Sequence, residues 1–256
     1  MPPAAVSVTS VGATAVLVAA GGVAGALGTA GGITSLVSYP ALLAVGLPAR
    51  AASVANIVAL VACWPGSAFA SRPELAGRGA WLRRWCTVSS LGGAAGALAL
   101  LVTPPSAFES VVPYLVAAAS LLLVAQPRLS CLIGRRAGRA VAIFFAGLFA
   151  ISVYNGYFGA GAGIMTLAAV LVLVERDLVT ANALKNMLVG AATVTSAAIF
   201  VFYASVAWAS VVPLAGGMLV GSTLGPRLAR RIPARVLRLF VALIGFGLAV
   251  SLWVKN

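Results

Sequence analysis

Lys185 is the ionisable side chain that the sequence sets inside an apolar stretch, and it has polar company. The run "VTANALKNM" carries Thr180, Asn182, Lys185 and Asn186, and an earlier run, "PARAASVAN", carries Arg50, Ser53 and Asn56. An ammonium flanked by amides and hydroxyls can hold an anion, because charge and hydrogen-bond donors are supplied together with no carboxylate competing for them. Covalent chemistry is another matter. There is no histidine, and the four acidic residues, Glu74, Glu109, Glu175 and Asp177, fall in loops or at helix ends. No acid–base pair or activated nucleophile can be assembled within the membrane from histidine or a buried carboxylate, so the chain does not read as an enzyme. Cation carriage and carboxylate proton relays are disfavoured on the same ground. The three cysteines, Cys63, Cys86 and Cys131, show no metal spacing and read as small core residues or a free loop thiol. The stretch "GAGAG" follows no strand, so it is no dinucleotide loop, and no metal or cofactor is expected.

The setting of these residues follows from composition. The 256 residues are 62% hydrophobic and 8% charged, with a mean hydropathy of +1.09, more than a soluble domain could hide from water. Apolar runs follow one another at about 11–46, 51–70, 81–103, 109–126, 140–174, 178–203, 206–226 and 236–254. Each is long enough to cross a hydrocarbon core of about 30 Å as a helix. The expectation is an all-α polytopic membrane protein in contact with lipid. The opening "MPPAAVSVTS" lacks the basic region of a cleavable signal and is taken as mature. The net charge of +13 comes from arginines in loops, where they set topology and do not form a nucleic-acid surface.

Sliding the chain over itself by 131 residues lays "GALGTAGGITSLVSYPALLAVGLPARAA" on "GYFGAGAGIMTLAAVLVLVERDLVTANA", with identities that include Gly25/Gly156, Gly28/Gly159 and Gly32/Gly163. Both windows open a half of the chain, and three apolar segments follow each, so the chain reads as two repeats, 1–126 and 140–256, joined by a cytoplasmic linker at 127–139. Charge counting then selects a topology. Eight plain spans put nine basic residues inside and seven outside. If segments 1 and 5 instead break at their glycines and fold back as re-entrant hairpins, fourteen lie inside against Arg50 and Lys255 outside, the bias expected of a real topology. Both termini are then outside and the repeats are inverted. The second arm, Ile33–Gly46, is 14 residues, about 21 Å of helix and short of a crossing. Glycine suits such turns because it tolerates positive φ, and the helix N–H groups freed there would favour an anion.

The candidate substrate-binding set is therefore Gly28, Thr29, Gly31, Gly32, Asn56, Asn155, Gly159, Gly161, Gly163, Lys185 and Asn186, with Arg50 and Tyr39 as a gate. Each has a plainer reading. The glycines can serve as small-residue packing faces. Lys185, about 11 Å into its helix, can snorkel to the cytoplasmic headgroups. Arg50 can meet lipid, and Tyr39, Thr29, Tyr154 and Asn155 can be packing residues.

The motifs "GTAGGITSLVSYPALLAVGLPARAASVAN", "GYFGAGAGIMTLAAVLVL" and "ANALKNML" resemble the sulfite exporter TauE/SafE family, over essentially the whole chain. The resemblance implies an anion permease for sulfite, organosulfonates or related sulfur-containing anions. Ala162 departs from the Gly31–Gly32 pair of the first half, so the half-sites need not contribute equally. The sequence expectation is alternating access at the hairpin tips. The alternatives are ion-coupled uptake of the same anions or a non-transporting scaffold subunit. Homo-oligomerisation is left open.

Overall fold

The computed structural model describes residues 11–111, 114 and 140–229. The linker at 127–139, Cys131 and the basic residues at 128–139 and from Arg230 onward lie outside them. The described residues are organised by helices. Helix α1 (Val11–Gly31) is separated from α2 (Thr34–Ala44) by a break at Gly32 and Ile33; α3 (Ala49–Leu60), α4 (Cys63–Ala70), the short α5 (Arg72–Leu75) and α6 (Gly79–Val102) follow. In the second half α7 (Ala140–Tyr157) is separated from α8 (Ala162–Leu173) by residues 158–161, and α9 (Leu178–Tyr203) and α10 (Trp208–Ala229) complete the described chain.

Helices are imposed here because hydrocarbon offers backbone groups no water to bond. Among the described residues five stretches are long and apolar enough to cross a membrane: Val11–Gly31, Ala49–Ala70, Gly79–Val102, Leu178–Tyr203 and Trp208–Gly225. The chain is thus a polytopic helical bundle, with Val16, Leu91, Phe145 and Phe202 exposed on its outer faces. Helices α2 and α8, at 11 and 12 residues, extend only about 16–18 Å. Each is the short arm behind a break, whereas α1 and α7 are the long arms.

Close packing fixes the directions of the helices. A Cβ on Gly21 or Gly25 of α1 would strike the backbone of Leu214 or Met218 of α10, and Thr29 Oγ1 lies 3.4 Å from the Ser222 carbonyl. The residue numbers rise together, so α1 and α10 run parallel. Phe144 packs on Trp85 at 4.6 Å, and the Tyr157 hydroxyl bonds Thr103 Oγ1 at 3.4 Å, so α7 runs parallel to α6. Gly93 lies against Ala192 and Cys86 against the Met187 carbonyl, aligning α9 with α6 as well. Glycines inside these helices thus do what the packing alternative expected of them: they let backbones touch, and dispersion follows from the close approach.

The α3–α4 rod bends for a visible reason. Pro65 has no N–H to return to Val61, and its ring crowds that carbonyl. Shorter-range bonds fill the bend instead, Ala62 N–H to Ala59 at 3.1 Å and Trp64 N–H to Val61 at 3.1 Å. The bend turns Cys63 and Trp64 toward the two helix breaks.

Candidate functional site

The two breaks meet. Gly32 has φ of 81°, a conformation that strains any L side chain, and a Cβ there would lie 2.6 Å from the carbonyl carbon of Gly163. Conversely, a Cβ on Gly163 would lie 2.7 Å from Gly32 Cα. These are equivalent positions under the 131-residue shift, so the two halves of the chain touch at corresponding residues. The breaks themselves differ in form. The first is two residues long; the second carries Gly159 and Gly161 at φ of 84° and 81° and is held by the Tyr154 hydroxyl donating to the Ala160 carbonyl at 2.7 Å. That difference agrees with the departure from symmetry at Ala162.

Beside this junction lies a cavity of about 50 Å³, several times the roughly 10–15 Å³ that one water needs and enough for a group of a few non-hydrogen atoms. Gly28, Thr29 and Gly32 line it from the first break, Asn155, Gly159 and Gly163 from the second, and Lys185 and Asn186 from α9. Gly31 and Gly161 do not line it. Asn56 stands one layer behind: its Nδ2 donates to Ser35 Oγ at 3.0 Å, and Ser35 lines the cavity. Tyr39 is buried against Phe158, ring centroids 5.2 Å apart, and is not on the wall. Arg50 is farther away, donating to the Leu100 and Leu101 carbonyls at 3.3 and 2.9 Å, where a cation complements the end of α6. It lines a separate cavity of about 760 Å³ with Glu109 and Tyr203.

Lys185 is 1% exposed and does not reach for the membrane surface. Its Nζ donates to the Gly28 carbonyl at 3.3 Å, while the Nδ2 groups of Asn182 and Asn186 donate to the Thr29 carbonyl at 2.9 and 3.1 Å. The two amides fill the Thr29 carbonyl in the last turn of α1, while the Gly28 carbonyl, which already accepts the Gly32 N–H at 2.6 Å, takes Lys185 as a second donor. An ammonium has three donors, so two of those on Lys185 have no partner among the described residues, and the described wall holds neither Asp nor Glu. Helices α2 and α8 open at the same place, and neither has a side-chain N-cap bond. Their first N–H groups add partial positive charge near Thr34, Ser35 and Gly163. What the arrangement can do chemically is bind negative charge by donors alone.

Sequence reasoning missed Thr34, Ser35, Cys63, Trp64, Ser67, Gly190 and Thr193 on this wall. The Trp64–Pro65 pair was the available signal, because a proline inside an apolar span marks a bend.

Fold and site together define a polytopic helical membrane protein with a donor-lined cavity at a junction of broken helices. The chain belongs to the sulfite exporter TauE/SafE family, whose model matches residues 13–252. That membership puts it among transporters and not among enzymes. It is similar to a probable membrane transporter protein of a Sinorhizobium species, 23% identical over 166 residues that cover 64% of this chain and 63% of that protein. It is also similar to a probable membrane transporter protein of Haemophilus influenzae, 24% identical over 243 residues and 93% of each chain. No solved structure matches it.

Proposed function

We propose that this chain is an anion permease of the bacterial inner membrane that moves sulfite, an organosulfonate or a related small sulfur-containing anion by alternating access at the helix breaks. The observation that carries the proposal is the cavity itself, where one buried lysine with unfilled donors faces no carboxylate. A buried cation without a counter-ion is costly, and a bound anion supplies the missing partner. A scaffold subunit would gain nothing from leaving this junction hollow.

Two further observations support the inverted, re-entrant reading. Arg78 and Glu175 form an ion pair at 2.6 Å, which sets the loop before α6 and the loop after α8 at one end of the bundle. Plain spans would put those loops on opposite sides. Helix α1 follows α10, α7 follows α6, and Thr29 lies level with both Asn182 and Ser222. The first long arm therefore runs against the second. Export suits such a site, since moving one negative charge out of a cell that is negative inside gains about 2.3 kcal/mol per 100 mV.

Counterflow in proteoliposomes, with a panel of sulfur oxyanions, sulfonates and carboxylates, tests the proposal. Exchange of at least one anion, shifted to higher anion concentrations when Lys185 is replaced by Gln, is the expected result. Vesicles that exchange none of the panel, with the protein folded and inserted, would overturn it.

A further inference from the structure

Trp64 stands in the bend between α3 and α4, and its indole Nε1 is buried with no hydrogen-bond partner among the described residues. Other buried polar atoms without partners include the hydroxyls of Ser53, Ser89 and Ser210, but a hydroxyl can rotate toward a nearby acceptor. An indole N–H cannot, because the ring fixes its direction. Buried tryptophan N–H groups usually find an acceptor, and among these partnerless atoms the one whose residue lines the cavity is that of Trp64. The ring is also deliberately accommodated. Position 190 of α9 is glycine, and a Cβ there would lie 2.5 Å from Trp64 Nε1 and 2.6 Å from Cγ, so any side chain would displace the indole.

We propose that Trp64 donates its indole N–H to an oxygen of the anion held beside Lys185, and that Gly190 is the positioning residue that keeps the ring in place. The inference rests on the permease reading and adds to it a source of direction. Lys185 contributes charge, which attracts any anion from any angle. Trp64 contributes a rigid neutral donor, which demands an accepting oxygen at one point on the wall and rejects a ligand that presents a methyl group there. With about 50 Å³ to fill, the part of the ligand that enters is a compact deprotonated oxyanion head group.

The test is an NMR titration of the full chain in detergent, its tryptophans carrying 15N in the indole ring, with sodium sulfite and sodium ethanesulfonate, and with sodium gluconate to match ionic strength. Trp64→Phe keeps the ring, removes the N–H, and assigns the Trp64 signal among five tryptophans. The expected result is that this signal moves on saturation and that Trp64→Phe binds about tenfold more weakly by calorimetry. An unmoved Trp64 signal in protein that binds either anion, or a Trp64→Phe affinity within about twofold of wild type, overturns the inference and leaves the permease reading in place. Wild-type protein that binds neither anion overturns the permease reading and this inference with it. Should Trp64→Phe fail to fold, phenylalanine placed singly at positions 81, 85, 208 and 253 assigns the signal by elimination, and its movement alone decides.

Discussion

Lys185 holds the Gly28 carbonyl with one donor and faces the cavity with the rest, so its removal acts on the helix end and on the ligand together. Lys185→Gln keeps a donor for the carbonyl and removes the charge. The expected loss is about 1–2 kcal/mol, or tenfold to thirtyfold in anion affinity, after desolvation is set against attraction. Calorimetry on folded protein checks this, and an unchanged affinity would remove Lys185 from the site. Lys185→Arg should also bind more weakly, because the guanidinium fork is wider than the ammonium it replaces. The glycines give a second prediction. Gly32→Ala puts a Cβ at positive φ and into the Gly163 backbone, and should destabilise the protein by about 1–3 kcal/mol. Gly147→Ala, in α7 with nothing within 4 Å of the added carbon, should raise stability slightly through helix propensity. Thermal unfolding of both in detergent separates them, and equal losses would show that the break tolerates a side chain.

At the scale of elements, the short arm α8 is tied to the loop before α6 by Arg78 and Glu175. The Glu175 carboxyl is held below the usual carboxylate range, first by the Asp177 backbone N–H and then by Arg78. A lowered folded value means that the tie is fully present above the unfolded value of about 4.3 and is lost as pH falls through the folded one. Between pH 6 and 8 the tie should not respond to pH. Glu175→Gln at neutral pH should expose Cys63 to a membrane-impermeant thiol reagent from the Arg78 side about two- to fourfold faster, as expected for a partly exposed pair. A rate identical to wild type would show that α8 is held by packing alone. The sequence made the breaks legible because glycine clusters and a lone lysine stand out in apolar segments. It did not make legible which glycine does what. Gly21 and Gly25 pack while Gly32 turns, and only the neighbouring helix decides that. Cys63 and Trp64 look like ordinary membrane-segment residues until the Pro65 bend brings them to α9, and Ser35 does so until the break at Gly32 and Ile33 sets the start of α2 on the same wall. Arg50 looks like a mouth residue, and its carbonyl partners are fifty residues away.

At the scale of the molecule, the direction of each long arm decides between a duplicated stack of spans and an inverted pair. Gly12 lies at the start of α1 and Arg83 in the first turns of α6, while Arg176 follows α8 and Arg231 follows α10. The inverted reading puts position 12 outside and positions 83, 176 and 231 in the cytoplasm. Eight plain spans put 83 inside and both 176 and 231 outside. Position 176 is the informative one, because the Arg78–Glu175 pair ties its loop to the side of Arg83, and no rearrangement that keeps this pair can separate them. In a background without Cys63, Cys86 and Cys131, single thiols made by Gly12→Cys, Arg83→Cys, Arg176→Cys and Arg231→Cys are exposed to an impermeant maleimide on intact cells and then on inverted vesicles. Gly12→Cys should label on cells alone and the other three on inverted vesicles alone. Removing one arginine from a strongly biased set leaves the orientation unchanged, so each variant reports the native topology. Labelling of Arg176→Cys on intact cells, with Arg83→Cys protected, would mean that α7 and α8 together cross the membrane once. The two breaks would then approach from the same side, and the cavity beside Gly32 and Gly163 would lose the inverted symmetry that the proposed alternating access requires.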